Sequence, residues 1–206
     1  SNKAELECNV QSCVADGVPV LKRYGGGGTV LLHPGSVVLG VAVWVRDFYS
    51  NSRYFSILNQ AIMDTLAEKW PHLSKVEPCG LSDLAIGGRK ICGSSLFRSR
   101  NYLLFQASLL VGCRVDCIEK YLAHPSKEPD YRRGRAHRDF LGSLNRADAS
   151  LTVNKVQDLF RESLFLEKVC ALLQEDLIDP QKEQFSNLLR RSRSNRSVDT
   201  RAGLGL

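Results

Sequence analysis

The 206-residue chain has no long hydrophobic run. The longest, Val37 to Val45, has the length of a core strand and falls short of the roughly 18 to 20 apolar residues that span a bilayer. No charged segment followed by an apolar one opens the chain, so we expect neither a signal peptide nor a membrane association. With 43% hydrophobic and 24% charged residues, the composition also excludes a wholly disordered chain.

The seven cysteines include no Cys-x-x-Cys pair. Cys8 and Cys13 are five residues apart, Cys113 and Cys117 are four apart, and no histidine cluster accompanies them, so a structural zinc site is not predicted. We interpret the cysteines as reduced thiols that pack as small hydrophobic residues. This favours a cytoplasmic protein, or a mitochondrial one in a eukaryote.

Neither sign of charge dominates, because 28 Lys and Arg against 22 Asp and Glu leave a net charge of +6. Part of this excess belongs to the C-terminal end, which holds Arg190, Arg191, Arg193, Arg196 and Arg201. A solvated surface with a basic tail explains such a balance better than a nucleic-acid-binding face does. We predict one domain over residues 1–190 and a disordered basic tail over residues 191–206.

The hydrophobic pattern predicts an α+β fold, in which strands are followed by helices instead of alternating with them. Strands are predicted at 18–23, 29–32, 37–45, 82–86, 89–97 and 102–111, and helices at 54–70, 116–122 and 152–174, with a short last helix from Asp179. Gly87-Gly88 predicts a tight hairpin turn. Thr152 is the predicted N-cap of the long helix.

A run of four glycines, Gly25 to Gly28, follows Lys22 and Arg23 and precedes Thr29 and Val30. Glycine adopts backbone conformations that other residues resist, and bare amides can approach a ligand and donate to phosphate or carboxylate oxygens. Arg23 adds a planar positive charge. Since the run matches neither the Gly-x-x-x-x-Gly-Lys-Ser/Thr loop nor a Gly-x-Gly-x-x-Gly helix start, a loose hairpin loop is an equally good interpretation.

The predicted hairpin carries a second candidate group. Lys90 can lie close to Asp83 across the hairpin, and strict strand alternation places Lys90 and Cys92 on one face with Ile91 on the other. An inward-facing ammonium needs a counter-ion, for which Asp83 is the natural choice, and such a lysine could polarise a carbonyl and steady a phosphate. Spacing alone favours an exposed lysine, and it favours a buried thiol over a nucleophile at Cys92.

A third segment, Pro129 to Phe140, holds four arginines within seven residues: Arg132, Arg133, Arg135 and Arg138. These side chains could bind phosphates or an acidic partner. Tyr131 and Phe140 add a weak version of the aromatic interleaving found in RNA-binding proteins. A solvated loop accounts for the composition equally well.

In this order, the three segments resemble the lipoate–protein ligase family, which is grouped with biotin ligases and octanoyltransferases. Residues Lys22 to Val30 are similar to its Arg-Arg-x-Ser-Gly-Gly-Gly-Ala/Thr-Val pattern. Ser82-Asp83-Leu84 resembles its Asn-Asp-Leu strand, and Gly88 to Ser95 resembles its Gly-x-Lys-Ile/Val-x-Gly-Ser-Ala segment. Ser108-Leu109-Leu110 stands where the family has Thr-Leu-Leu, and the resemblance extends from Ser1 to Leu144.

The resemblance implies a class II aminoacyl-tRNA synthetase-like catalytic domain, with a mixed and mostly antiparallel sheet flanked by helices. It implies that Lys90 is the catalytic electrophilic residue and that Asp83 orients it or helps to bind a magnesium ion. The residues implied to contact the substrate or its adenylate are Arg23, Gly26, Gly27, Gly28, Thr29, Val30, Ser82, Gly93, Ser94 and Ser95.

The implied activity is that of a lipoate–protein ligase. ATP would activate lipoate or octanoate as an acyl-adenylate, and the acyl group would then pass to a lysine of an acceptor lipoyl domain. The implied acceptors are the glycine-cleavage H protein and the acyltransferase subunits of 2-oxoacid dehydrogenases, whose acidic surfaces suit a basic rim. The family's N-terminal strand and helix and its accessory C-terminal domain are not recognised, so an accessory subunit is a further candidate partner.

Two alternatives stay open on sequence grounds. An ATP-independent octanoyl or lipoyl transferase of the same fold would form a thioester on a cysteine, and Cys92 is the remaining candidate because the Pro-Cys-Gly around Cys79 precedes Lys90. A non-catalytic relative would bind lipoyl domains or RNA through the arginine-rich segment. A biotin ligase is disfavoured, since the motif Gly-Arg-Gly-Arg-x-Gly-Arg is missing.

Overall fold

The structure, a computed structural model, describes residues 4–46, 50–174 and 176–179. The predicted domain boundary at residue 190, the predicted tail at 191–206 and the helix predicted after Asp179 lie outside the described residues. Within the described ranges, no helix combines the length and the hydrophobicity that crossing a bilayer requires.

The centre of the fold is an antiparallel sheet, which has five strands within the described residues in the spatial order β1-β5-β4-β3-β2. The strands are Ser36–Trp44 (β1), Glu77–Cys79 (β2), Asp83–Ile86 (β3), Arg89–Ser99 (β4) and Tyr102–Leu110 (β5). Gly87 and Gly88 form the predicted turn between β3 and β4, and both take positive φ values, 55° and 70°, which glycine adopts without steric cost.

Helices surround this sheet, so the predicted α+β fold with a mostly antiparallel sheet is confirmed. They are Ala4–Glu7 (α1), Val10–Ala15 (α2), Asn51–Lys69 (α3), Val115–Tyr121 (α4), His137–Phe140 (α5), Leu144–Ala147 (α6), Val153–Glu162 (α7) and Phe165–Leu172 (α8), with 3-10 turns at Pro71–Lys75 and Asp130–Arg132.

One face of the sheet carries the main hydrophobic core. Leu58, Ile62 and Leu66 recur every four residues along α3 and are fully buried, because this spacing aligns them on one side of the helix. They share the core with Phe105 of β5. Pro71 follows the end of α3, as predicted, since proline disfavours a helical conformation at the preceding residue.

The opposite face of the sheet is not covered in this way. In β1, Val41 points to the core and is buried, whereas Val38 points to the opposite face and is 51% exposed. Val38 pairs with Ser108, and Ser108 pairs with Gly93, so this second face continues from β1 across β5 to β4. The strand predicted at 37–45 is therefore present but buried on one side only.

Two predicted strands are not found. Residues 18–23 and 29–32 contain no strand, although the structure describes all of residues 18–35. Leu21, Val30 and Leu32 are 86%, 44% and 58% exposed, so these β-prone side chains have little to pack against. Strand propensity stabilises a sheet through such packing, which is why it does not decide the conformation here.

The helix predicted over 152–174 is interrupted. Thr152 caps its N-terminus as predicted, but the backbone becomes extended at Ser163, where ψ is 160°. The interruption turns Phe165 into the core, at 5% exposure, and leaves Leu164 63% exposed. A continuous helix over 152–174 would place Leu164 on the same apolar face as Val156 and Phe160, and the break removes it from that face.

Candidate active site

A β-bulge on β4 decides which way Lys90 points. The β3–β4 ladder pairs Leu84 with Cys92 and then Ala85 with Lys90, so Ile91 is the extra residue of the bulge. Ile91 and Cys92 are both buried, at 1% and 0% exposure. The expectation that Lys90 and Cys92 share a face with Ile91 opposite is wrong, because the bulge interrupts the strand alternation on which it rests.

Lys90 lies on the sheet face opposite the main core, paired with Asp83. Its Nζ is 2.8 Å from Asp83 Oδ1, and the two side chains are 23% and 8% exposed. A Cβ added to Gly93 would lie 2.7 Å from Nζ and 2.8 Å from Cε, so the lysine crosses directly over this glycine. The ion pair predicted from the hairpin is present, and the alternative of a freely exposed lysine is not.

Asp83 has a second partner, Tyr131, whose hydroxyl donates to Oδ2 at 2.8 Å. Each oxygen of this buried carboxylate therefore accepts from a different side chain. In the sequence, Tyr131 stood out only as an aromatic residue among arginines. No motif links position 131 to position 83, so this contact could be found only from the fold.

The glycine run lies across the same face of the sheet. The Gly26 amide donates to the carbonyl of Leu96 at 3.3 Å. A Cβ on Gly25 would lie 3.0 Å from Ser95 Oγ, so the backbone lies directly on β4. Ser95 follows Gly93 by two residues, which places the run about 7 Å along the strand from the glycine under the lysine.

Arg23 folds back into the curve of the glycine run. Its Nη2 donates to the Gly28 carbonyl at 2.9 Å. A Cβ added to Gly25 would lie 3.1 Å from Arg23 Nη1, and a Cβ added to Gly27 would lie 3.1 Å from Arg23 Nη2. Gly27 also has a φ of +98°, which favours glycine at this position. Burial lowers the pKa of Arg23, yet a guanidinium stays protonated at physiological pH, so a positive charge sits inside the run.

The other predicted contact residues divide between the two faces of the sheet. Thr29 and Val30 are exposed and lie beyond the glycine run. Ser94 Oγ donates to the Ser82 carbonyl at 2.7 Å and lies 3.4 Å from Asn59 Oδ1 of α3. Ser94 therefore faces the helix-covered side and ties β4 to the turn before β3. The structure brings Gly93 and Ser95 to the lysine's face and does not bring Ser94 there.

Cys92 sits in the hydrophobic core. It is fully buried, and this burial raises the pKa of its thiol to about 12. The nucleophile of a thioester mechanism is the thiolate, which such a group does not form near neutral pH. The geometry therefore removes the cysteine on which an ATP-independent transferase reaction would depend.

The arginine-rich segment is neither a solvated loop nor an open basic patch. Arg132 is 4% exposed and donates from Nε to the Arg135 carbonyl at 3.0 Å. Arg135 bonds the carbonyls of Tyr131 and Gly88, and Arg138 pairs with Glu119. Three of the four arginines thus hold the segment in place.

A magnesium ion at Asp83 is not favoured by these contacts. Both carboxylate oxygens already accept hydrogen bonds. Because Lys90 and Tyr131 occupy these two oxygens, Asp83 fits the role of partner to Lys90 better than that of a metal ligand.

Comparison with known proteins gives matches to lipoate–protein ligases. Residues 1–165 match the family model described as the lipoyl protein ligase A/B catalytic domain. The lipoate–protein ligase of Streptococcus pyogenes is 25% identical over 185 residues, which cover 87% of this chain and 50% of that protein. Lipoate–protein ligase 1 of Plasmodium falciparum is 27% identical over 116 residues, covering 56% and 26%. The chain spans half or less of these relatives' length.

Solved structures share the fold. Lipoate-protein ligase A bound with ATP superposes with a TM-score of 0.66 at 21% identity, covering 91% of this chain and 74% of that one. A structure from a study of a bi-partite lipoate protein ligase and its E2 lipoyl domain from Thermoplasma acidophilum also gives 0.66 at 21% identity, with 91% and 72% covered. The structures show the shared fold, and because the family model matches residues 1–165, which are most of the sequence, the chain belongs to the lipoyl protein ligase A/B catalytic domain family.

Proposed function

We propose that this chain carries the active site of a lipoate–protein ligase. The site would activate lipoate or octanoate with ATP and transfer the acyl group to a lysine of an acceptor lipoyl domain. The observation that carries the proposal is the position of Lys90. Its ammonium is held 2.8 Å from a buried carboxylate, on the sheet face that the glycine run crosses.

Lys90 would act as the electrophilic residue of both steps. In the first step, a carboxylate oxygen of the acid bonds to the α-phosphorus of ATP, and the bond from that phosphorus to pyrophosphate breaks. In the second step, the acceptor amine attacks the carbonyl carbon of the acyl-adenylate, and AMP leaves. In each step, negative charge develops on phosphate or carbonyl oxygens. A preorganised cation such as the Lys90 ammonium stabilises this charge where it develops.

The glycine run would bind the acyl-adenylate. Gly26 fixes the run on β4 through its amide, and residues Gly27 to Val30 expose their backbone beside the open sheet face, so their amides can donate to a carboxylate or phosphate. Arg23 places a cation within the run. Gly93 and Ser95 would complete the floor between the run and the lysine, while Ser82 and Ser94 support β4 from the other side.

The acceptor would be a lipoyl domain, such as the glycine-cleavage H protein or an acyltransferase subunit of a 2-oxoacid dehydrogenase. A net charge of +6 suits acidic partners. An accessory subunit is a further candidate, and the Thermoplasma acidophilum neighbour is described as bipartite.

Lipoate-dependent exchange of pyrophosphate into ATP tests the first step directly. The wild-type chain should catalyse it with lipoate or octanoate, and Lys90→Ala should abolish it while the protein stays folded. Lys120→Ala is a matched control, because Lys120 pairs with Asp16 on the surface and neither residue belongs to the site. Exchange that survives in Lys90→Ala, or that is missing from the wild type, would overturn the proposal.

The second step is tested by the mass of an acceptor lipoyl domain, measured with and without ATP. An ATP-dependent gain of one acyl group on a lysine supports the ligase. A gain without ATP, with an acyl thioester as the donor and its thiol as the leaving group, would instead indicate a transferase, and no gain together with tight binding would indicate a non-catalytic relative.

A further inference from the structure

The contact between Tyr131 and Asp83 joins the arginine-rich segment to the lysine site. Asp83 offers Oδ1 to Lys90 and Oδ2 to Tyr131, each at 2.8 Å. We infer that Tyr131 is a positioning residue, which locks the carboxylate of Asp83 and thereby holds the Lys90 ammonium over Gly93. Its effect on catalysis rests on the proposed function, whereas its effect on the lysine does not.

A carboxylate held at one oxygen can still rotate about its Cβ–Cγ bond. A second donor at the other oxygen stops this rotation, and bonds to an ionised group are the stronger kind. Burial and the nearby carboxylate raise the pKa of Tyr131, so the phenol keeps its proton and remains a donor. Tyr131 therefore fixes the plane of the Asp83 carboxylate, and with it the direction in which Oδ1 meets Lys90.

The tyrosine is itself held in place by the segment around it. Its ring packs on Phe140, with centroids 5.1 Å apart. Arg135 donates from Nη2 to the Tyr131 carbonyl at 2.8 Å and from Nη1 to the Gly88 carbonyl at 3.1 Å. One guanidinium thus connects the backbone of the tyrosine to the hairpin turn two residues before Lys90.

Further bonds dock the same segment beside the lysine. The Gly142 amide donates to the Lys90 carbonyl at 2.8 Å. Arg89 donates from Nη1 to the Arg138 carbonyl at 2.8 Å. The segment therefore reaches the hairpin through Gly88, Arg89 and Lys90 in succession. This explains its arginines as parts of a support for the tyrosine, a role that needs no bound nucleic acid.

Tyr131→Phe is the direct test, because it removes one hydroxyl and keeps the ring that packs on Phe140. Lipoate-dependent pyrophosphate exchange should lose about tenfold or more in kcat, the loss expected when a hydrogen bond to a charged group is removed. The KM values for ATP and lipoate should change less than twofold, since Tyr131 is not placed against substrate. A purely structural role would instead lower the melting temperature.

A second measurement follows the lysine without any need for enzymatic activity. Acylation of Lys90 by acetic anhydride, followed by peptide mass spectrometry, needs an accessible amine, and an amine held 2.8 Å from the Asp83 carboxylate is less accessible to the reagent. Tyr131→Phe should speed this labelling several-fold. In an Asp83→Ala background, the same substitution should change the labelling no further, because the tyrosine would have no carboxylate through which to act.

Tyr121→Phe is the matched control. Tyr121 donates to Asp16 at 2.8 Å, and Asp16 also pairs with Lys120, so the control removes the same kind of bond from an ion-paired aspartate at the surface. It should leave exchange and Lys90 labelling unchanged. Unchanged Lys90 labelling in Tyr131→Phe, or an equal acceleration in the Asp83→Ala background, would refute the positioning role. A wild-type chain without exchange would refute only the proposed function, since the labelling still decides the role of Tyr131.

Discussion

Replacing Gly93 by alanine should displace Lys90 without unfolding the protein. The added Cβ would stand 2.7 Å from Nζ and 2.8 Å from Cε of the lysine. Non-bonded heavy atoms settle at about 3.5 to 4.0 Å, so the overlap amounts to about 1 Å. The atoms in the way are the free end of a flexible side chain that is 23% exposed, so the lysine will move and the backbone will stay.

The displacement is large enough to break the ion-pair hydrogen bond. Nζ now lies 2.8 Å from Asp83 Oδ1, and a shift of about 1 Å takes it beyond the range of a normal hydrogen bond. A bond to a charged group contributes about 1.5–3 kcal/mol. If that positioning is needed in the transition state, the rate of acyl-adenylate formation falls by about 10- to 150-fold, since each 1.36 kcal/mol is a factor of ten.

The assay is lipoate-dependent pyrophosphate exchange, with a thermal melt to verify folding. Gly112→Ala is the control, because its added Cβ would come no closer than 3.5 Å to Asn145. The control should keep wild-type exchange. Full exchange in Gly93→Ala would refute the reasoning, as would a crystal structure of that variant in which the bond between Lys90 and Asp83 keeps its length.

Two further predictions concern the core and a helix cap. Burial raises the pKa of Cys92 to about 12, so its thiol should resist iodoacetamide at pH 8 and react only after the protein unfolds. The exposed Cys170 should react in both the folded and the unfolded state. Rapid labelling of Cys92 in the folded protein would contradict this prediction. Thr152→Ala should lower the free energy of unfolding in urea by about 1 kcal/mol, because it removes the hydroxyl that accepts from the amide of Lys155. An unchanged midpoint of urea unfolding would contradict the role of Thr152 as the helix N-cap.

The sequence predicted well wherever a local rule governs the structure. The four-residue spacing of Leu58, Ile62 and Leu66 specifies an amphipathic helix, and this helix is α3. Gly87-Gly88 specifies the tight turn of the hairpin, because both residues need positive φ. The turn brings β3 and β4 together, so the sequence offered Asp83 as a counter-ion for Lys90, although spacing alone favoured an exposed lysine.

The errors arose where a local rule meets a tertiary contact. Residues 18–23 have strand propensity but pair with no strand, because side chains such as Leu21, which is 86% exposed, have little to pack against. The helix predicted over 152–174 breaks at Ser163, because the break lets Phe165 reach the core. In both places the packing of the whole molecule outweighed a preference of a few residues.

The order of the motifs by itself indicated the family and the lysine at the centre of the proposed reaction. Only the tertiary structure decided the face on which that lysine lies, because the bulge at Ile91 shifts the strand alternation by one residue. It alone also joined Tyr131 to Asp83, which are 48 positions apart. Such a contact depends on how a folded loop docks against a hairpin, and no periodicity or local propensity along the chain encodes that distance.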